Sequence, residues 1–467
     1  LYFNVKIKNK FFGGVTMKKG FIYAFLLCVA AVCFCQPLKA DSPLVSDTNK
    51  PTYNLKHPTD WLNLSGDLRF RYMYDNNRKL NDEDLGHDRS QLRLRARLQA
   101  TANITNDLDF NIRLITEPRY FLEAAAEMHK WAYNEALFDK FNLTWRNAFG
   151  QPLTVVAGRQ DIILGTGWLV SDGTPLDGSR DGFFDALRFT YNIKDWDATA
   201  DVILIDNHGD SAKWLKPIND RDIDFSEQDE QGGIFYFNKK TSKDSGFDVY
   251  MLYQHDTKRV AKTGGAKGEI YTPGARFYGK LNDNWGYNAE FAPQFGHKNG
   301  KDLHSFGTND QLIYNFNDER NNRIYLGYEY LSGNKDQDKY FDRGWGRIDS
   351  WSSLYQGNID AIDGRAYESS NLHRFYTDWA TKLSEKLELK TGYAILLADK
   401  NTLKAGTNGL SQDGKVRGHL VKAMLTYAQA KNIVHKLEGE LFFPGSYYTN
   451  PRNSTAAFFR YTLTFTW

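Results

Sequence analysis

The sequence predicts an all-β chain: a transmembrane antiparallel up-and-down β-barrel of about 18 strands, with roughly 16–20 permitted by the spacing. Three observations predict it. Large apolar residues alternate with polar ones at period two, segment after segment, from residue 61 onward. Aromatic residues make up 15% of the chain and the mean hydropathy is −0.58, yet beyond residue 40 no apolar run reaches membrane-helix length. A barrel hides its membrane signal in this way, because lipid-facing and lumen-facing residues alternate and average to something hydrophilic. Finally, Phe459, Tyr461, Leu463, Phe465 and Trp467 alternate with Arg460, Thr462, Thr464 and Thr466, so the last segment reads as an amphipathic strand ending on an aromatic residue.

The N-terminal part divides into three. Residues 1–16 precede Met17 and read as mis-annotated upstream residues. Residues 17–40 have the layout of a secretory signal peptide. Met17-Lys18-Lys19 is basic, Phe21 to Phe34 is apolar, and Leu38-Lys39-Ala40 offers a small-residue cleavage site. The mature chain then starts near Asp41, and residues 41–60 form a polar periplasmic leader. Cys28, Cys33 and Cys35 all fall inside the signal segment. A lipoprotein reading through Cys33 or Cys35 is an alternative, though the residues before each make a poor lipobox. A mature chain without cysteine excludes disulfides and thiolate metal sites.

Strands follow from residue 61 to 467. Leu62, Leu64, Leu68, Phe70 and Tyr72 share one face, while Asp67, Arg69 and Arg71 share the other. Leu92, Leu94, Ala96, Leu98, Ala100, Ala102 and Ile104 alternate with Gln91, Arg93, Arg95, Arg97, Gln99, Thr101 and Asn103. After the turn at Asn106-Asp107, Leu108, Phe110, Ile112 and Leu114 oppose Asp109, Asn111 and Arg113. Similar faces recur around Phe141, Leu187, Phe247, Tyr287, Ile324 and Leu387. Short turns such as Asn282 to Asn284 alternate with long polar loops such as Ser332 to Gly364 and Asn401 to Val416. Outer-membrane barrels show that asymmetry between their rims. One segment departs: Tyr120 to Ala136 is Ala-rich and predicts a short helix, or a loop with a helical turn.

Parity then selects the lumen. Arg69, Arg71, Arg93, Arg95, Arg97 and Arg113 point inward from three neighbouring segments, and Arg159, Arg188 and Arg460 sit on later polar faces. Closure of a barrel predicts that the strand of Arg460 lies beside that of Arg69 and Arg71. Arginine keeps its charge and presents a donor fork matched to carboxylate or phosphate, so such a wall concentrates anions. The competing role is structural: these arginines pair with lumen acids such as Asp67, Asp109, Glu117, Asp201, Asp248 or Glu290 and prop the wall.

Several motifs carry a family resemblance. Val155-Val156-Ala157-Gly158-Arg159-Gln160-Asp161, Gly165, and Phe184-Asp185-Ala186-Leu187-Arg188-Phe189 resemble a signature of the alginate export family. Tyr330-Leu331-Ser332-Gly333-Asn334-Lys335-Asp336 is similar to a strand-to-loop element of that family. Phe341-Asp342-Arg343-Gly344-Trp345-Gly346-Arg347 with Trp351-Ser352-Ser353-Leu354 resembles one of its loops, and Glu440 to Tyr448 its penultimate strand. The resemblance implies an 18-stranded monomeric outer-membrane barrel conducting a polyuronate. It carries Arg159, Asp185 and Arg188 over as pathway residues. The terminal Trp467 resembles the aromatic end by which the barrel-assembly machinery recognises such chains.

The expected function is therefore an outer-membrane channel for anionic solutes, with an alginate-like polysaccharide as candidate cargo and membrane lipid as surroundings. A general or structural barrel without polysaccharide specificity is the alternative, and an outer-membrane hydrolase a more distant one. No G-x-S-x-G elbow, phosphate loop or histidine cluster of ligand spacing is found, so no catalytic residues, metal, cofactor or nucleic-acid partner are expected.

Overall fold

The computed structural model describes residues 56–467 apart from 82, 85, 125–128, 133–135, 172–181, 220–223, 227, 260–266, 334–340, 347–349, 364–369 and 402–408. The upstream residues, signal segment, cysteines and most of the leader lie outside the described residues. Among the described residues, twenty strands follow one another: β1 (Leu62–Asn76), β2 (Arg89–Asn103), β3 (Leu108–Thr116), β4 (Arg119–Glu123), β5 (Lys130–Ala132), β6 (Ala136–Trp145), β7 (Leu153–Gln160), β8 (Phe184–Ile193), β9 (Ala198–Asn207), β10 (Gln228–Ser242), β11 (Ser245–Arg259), β12 (Gly268–Lys280), β13 (Trp285–Lys298), β14 (Lys301–Asn315), β15 (Arg323–Leu331), β16 (Leu372–Ser384), β17 (Leu387–Leu397), β18 (Val416–Ala430), β19 (Ile433–Pro444) and β20 (Ala456–Thr466).

Each wall strand pairs antiparallel with its neighbours, and β1 pairs with β20 from Asp67↔Thr466 to Asn76↔Ala457. With β4 and β5 set aside as an outgrowth, 18 strands close the barrel. Closure satisfies every ladder from within the sheet, which is what hydrocarbon surroundings demand. Alternation sorts the faces as parity requires. Leu68, Leu98, Leu204, Phe235 and Leu326 are exposed on the outside, whereas Asp67, Arg69, Arg95 and Asp248 are buried within. Connections are short at the rim of 104–107, 243–244 and 385–386, and long at the opposite rim. At the long-loop rim, β13 and β14 are joined by Asn299-Gly300 alone, both at positive φ (52° and 73°), which suits a tight hairpin.

Over its described residues, the helix or helical turn expected at Tyr120 to Ala136 is corrected; 125–128 and 133–135 lie outside them. Its described residues form a two-stranded outgrowth, β4 and β5, with Tyr120 opposite Trp131 and their rings 5.1 Å apart. Pro118 interrupts β3, but the ladder of β2 runs on past it, and β4 takes up the free partners at Ser90 to Arg93. At 120–123 the available sheet edge thus wins over local helix propensity.

The seam is fastened at its end. Trp467 and Gly66 exchange backbone hydrogen bonds of 3.1 and 3.3 Å, and the indole lies over the bare Cα of Gly66. A Cβ there would run into the ring and come within 2.5 Å of the Arg97 carbonyl oxygen. Gly66→Val is therefore expected to hinder closure. In a refolding assay, the fraction of heat-modifiable folded barrel on a cold gel should fall severalfold; a parental yield would show that the seam does not need this fit.

Candidate functional site

The lumen is the site, and register decides its electrostatics. β1 and β2 pair so that Arg69 faces Arg95 and Arg71 faces Arg93. Like charges directly opposite in a sheet repel, and two such pairs sit next to each other here. Carboxylates from the same wall separate them. Glu117 accepts from Arg69 at 2.8 Å and from Arg93 at 2.6 Å. Asp67 accepts from Arg95 at 2.9 Å and from Arg97 at 2.5 Å. Across the seam, Glu438 accepts from Arg460 at 2.6 and 2.9 Å and lies 3.1 Å from Lys436. Glu117 also lies 3.8 Å from Arg119, so each of these three acids serves at least two cations. Arg460 stands opposite Met73 on β1, and Arg71 Nε reaches Thr462 Oγ1 at 3.4 Å, so the basic wall crosses the seam as expected.

Further round the wall, cations and acids are matched evenly. Arg113 is held by Asp139 at 2.8 Å and, through a two-point contact of 2.9 and 2.8 Å, by Asp161, which also meets Lys140 at 3.0 Å. Arg159 and Asp185 are register partners on β7 and β8, joined by two hydrogen bonds of 2.9 and 2.8 Å. The Arg159 guanidinium also lies 3.7 Å from the Phe183 ring centroid. Arg188 donates to Asp201 at 2.7 Å. Of the acids expected to prop the wall, Asp109 holds Arg146 and Asp248 holds Arg276, while Glu290 instead accepts from Tyr250 and Thr166. The structure brings the expected residues into one lumen but in two groups: a seam with shared acids, and a β3–β9 arc of one-to-one or balanced pairs.

Two loops from the long-loop rim fold inward. In the first, 161–171, Trp168 Nε1 donates to Glu329 at 3.1 Å and Thr166 Oγ1 to Glu290 at 3.3 Å. Gly165 sits at φ +57°, where an added Cβ would lie 2.8 Å from the Tyr236 hydroxyl. The second comprises 341–346 and 350–363. Ser171 N–H donates to the Trp345 carbonyl at 2.9 Å, and Phe341 stacks on Trp168 with centroids 5.8 Å apart, so the loops support each other. Asp342 in this loop is half-buried; desolvation alone would raise its pKa, but its ion pair with Lys298 and the Gly344 N–H hold it below the usual carboxylate range. Deeper in, Glu440 on β19 accepts from Ser353 N–H at 2.9 Å, Leu354 N–H at 3.2 Å and the Ser352 hydroxyl. Arg417 fixes the loop's far end through Asp360 at 2.8 Å and the Tyr355 hydroxyl at 2.7 Å.

Beneath Ser350 to Ser353, between the loop and the walls of β14–β20, lies a cavity of about 550 Å³. Arg374, Lys390, Lys422, Lys436 and Arg460 line it against Asp378, Glu438 and Glu440. The three lysines were missed in the sequence. The parity that selected the arginines applies to them too, since Lys390 alternates with Leu389 and Thr391, and Lys422 with Val421 and Ala423. The inward loops had no such signal. They come from stretches without a period, and only the motif resemblance, at Asp161 and Gly165 and around Trp345 and Trp351, marked them. Among the described residues no helix is long and apolar enough to cross a membrane, and no group of His, Cys, Asp or Glu is placed to hold a metal.

Comparison with known proteins agrees with this architecture. The alginate export family model matches residues 60–461. None of the curated proteins matches the chain by sequence. Among solved structures, a BenF-like porin from Pseudomonas fluorescens Pf-5 superposes with a TM-score of 0.58 at 12% identity, covering 87% of this chain and 98% of its own. OccK2 (OpdF) of Pseudomonas aeruginosa, solved in complex with glucuronate, gives 0.56 at 11% identity, covering 87% and 97%. OccAB4 of Acinetobacter baumannii gives 0.55 at 9% identity, covering 89% and 100%. At these identities the likeness is one of fold.

Proposed function

Because the chain belongs to the alginate export family, we propose that it conducts anionic solutes along the cationic seam of its barrel, with acidic saccharides, polyuronates among them, as the solute class. An outer-membrane channel follows from the family and the closed porin-like barrel together; the preference for anions is the further step. One observation carries it. The β1–β2 register sets arginine opposite arginine twice, at Arg69↔Arg95 and Arg71↔Arg93, and the acids beside them are each divided between two or more guanidinium groups. A wall built only for strength would use one acid per cation, as the arc of Arg159–Asp185 and Arg188–Asp201 does. An arrangement that costs stability locally and yields a positive field in a confined lumen is what anion attraction needs.

Planar-bilayer recording tests this reading. The purified barrel is expected to show an anion-selective reversal potential in a KCl gradient. Converting Arg71 and Arg93 to glutamine removes one opposed pair while Glu117 keeps Arg69. The anion-to-cation permeability ratio should then fall by roughly two- to threefold. A cation-selective parent channel would overturn the proposal. Arg71→Gln/Arg93→Gln with unchanged selectivity would move the path away from the seam. Glucuronate in one structural neighbour belongs to the same chemical class of solute.

A further inference from the structure

We infer that the cavity under Trp351 is a built subsite for one unit of a hydroxylated carboxylic acid, such as a single acidic sugar or the end of a short acidic oligosaccharide. Its volume of about 550 Å³ lies in the ~300–1,000 Å³ range of small-ligand sites. Two of its lining residues present buried polar atoms that have no hydrogen-bond partner among the described residues: the Trp351 indole N–H and Asp378 Oδ1. Leaving such atoms unmet costs ~1–3 kcal/mol each, so a native wall that keeps one donor and one acceptor unmet beside an open cavity is poised for a ligand. A hydroxylated ligand has groups for both, because a hydroxyl donates to a carboxylate and accepts from an indole N–H.

The charge around this pair gives the second half of the ligand. Five cations face the cavity, Arg374, Lys390, Lys422, Lys436 and Arg460, against three carboxylates. One of those acids, Glu440, is already engaged by the loop donors at 352–354. Lys422 Nζ lies 3.6 Å from Asp378 Oδ2, on the opposite oxygen from the unmet one, so a cation and a hydroxyl-accepting atom sit side by side. That spacing suits a carboxylate and a hydroxyl on one small molecule. Stacking of a neutral sugar ring is not what the site offers. The Trp351 ring is stacked on Tyr355 with centroids 5.5 Å apart, and the Arg374 guanidinium lies over it at 4.6 Å. Only the indole edge remains for recognition. Asp378 owes its position to Gly392, where any Cβ would collide with Oδ1.

This subsite rests on the anion-channel reading for the sign of the solute, and the two can fail separately. Isothermal titration of the full-length barrel in detergent, with galacturonate, glucose and acetate as probes, is the test. Saturable heat is expected with galacturonate and none with glucose or acetate at equal concentration. Trp351→Phe keeps an aromatic ring but removes the N–H together with part of the indole; it should weaken galacturonate binding about tenfold, as should Asp378→Ala, which removes the acceptor. Equal binding of glucose and galacturonate, parental affinity in Trp351→Phe, or no saturable heat with any probe would each overturn the subsite. If bilayers show anion preference without saturable binding, the subsite falls and the channel reading stands. Galacturonate binding by a cation-selective barrel would do the opposite.

Discussion

Replacing Asp185 by alanine is expected to destabilise the barrel by about 3–5 kcal/mol, measured by urea unfolding in detergent micelles. Arg159 is only 1% exposed, and its partner Asp185 10%, so the pair has left water almost completely. Without the carboxylate the guanidinium keeps the Phe138 carbonyl at 3.0 Å and the Phe183 ring, but no counter-charge remains at its fork. A buried charge left alone costs more than the pair ever contributed. That asymmetry gives the experiment its control: Arg159→Met with Asp185→Leu should recover most of the loss, short by about 1 kcal/mol for the unmet Phe138 carbonyl. Loss of less than ~1 kcal/mol in Asp185→Ala would show that the arginine is screened by solvent instead. The same result separates the two arginine groups. Arg159 and Asp185, selected by motif as pathway residues, act in this structure on each other; the seam arginines share their acids.

Converting Glu440 to leucine is expected to release the second inner loop and raise single-channel conductance severalfold. The carboxylate gathers two backbone N–H groups and one hydroxyl from 352–354 at a single point on β19. Each buried donor left unmet costs ~1–3 kcal/mol, enough in sum to exceed what holds a single loop in place. Asp360–Arg417 and the Asn358 contacts to Asp75 at 3.2 Å and Arg89 at 3.4 Å would still tether its far end, so the loop should swing rather than leave. Protease cleavage within 350–360 should appear together with the larger conductance. Full excision of 341–363 sets the upper bound. A Glu440→Leu channel with parental conductance and parental protection would show that the loop is held by its apolar contacts, Leu354 and Tyr355, rather than by this carboxylate.

Much of the wall is legible in the amino-acid pattern. Alternation at Leu92 to Ile104 or Phe459 to Trp467 selects one face for lipid and one for lumen, and the inward sense of Arg69, Arg93, Arg113 and Arg460 follows directly. The acids expected to prop the wall are legible too, down to Asp67, Glu117, Asp201 and Asp248. The Tyr120 to Ala136 stretch misleads because helix propensity is a local quantity, whereas the exposed ladder of β2 that captures β4 is not. Lys390, Lys422 and Lys436 fall within reach of the same parity rule, but they are scattered singly over three strands, whereas the arginines of β1 and β2 come in runs. Trp351 lies in an aperiodic loop where only the motif resemblance marks it, and Asp378 is an ordinary inward acid until its neighbours are known.

The sequence by itself determined a closed wall and which side chains look inward, because strand side chains alternate strictly and a bilayer tolerates no open sheet edge. Only the tertiary structure decided which inward charges meet. Register places Arg69 opposite Arg95, and the folding of 161–171 and 341–363 into the lumen places Glu440, Trp351 and Asp378 around one cavity. Those are contacts across tens to hundreds of residues, set by pairing offsets and loop packing, and a period-two pattern holds no record of either.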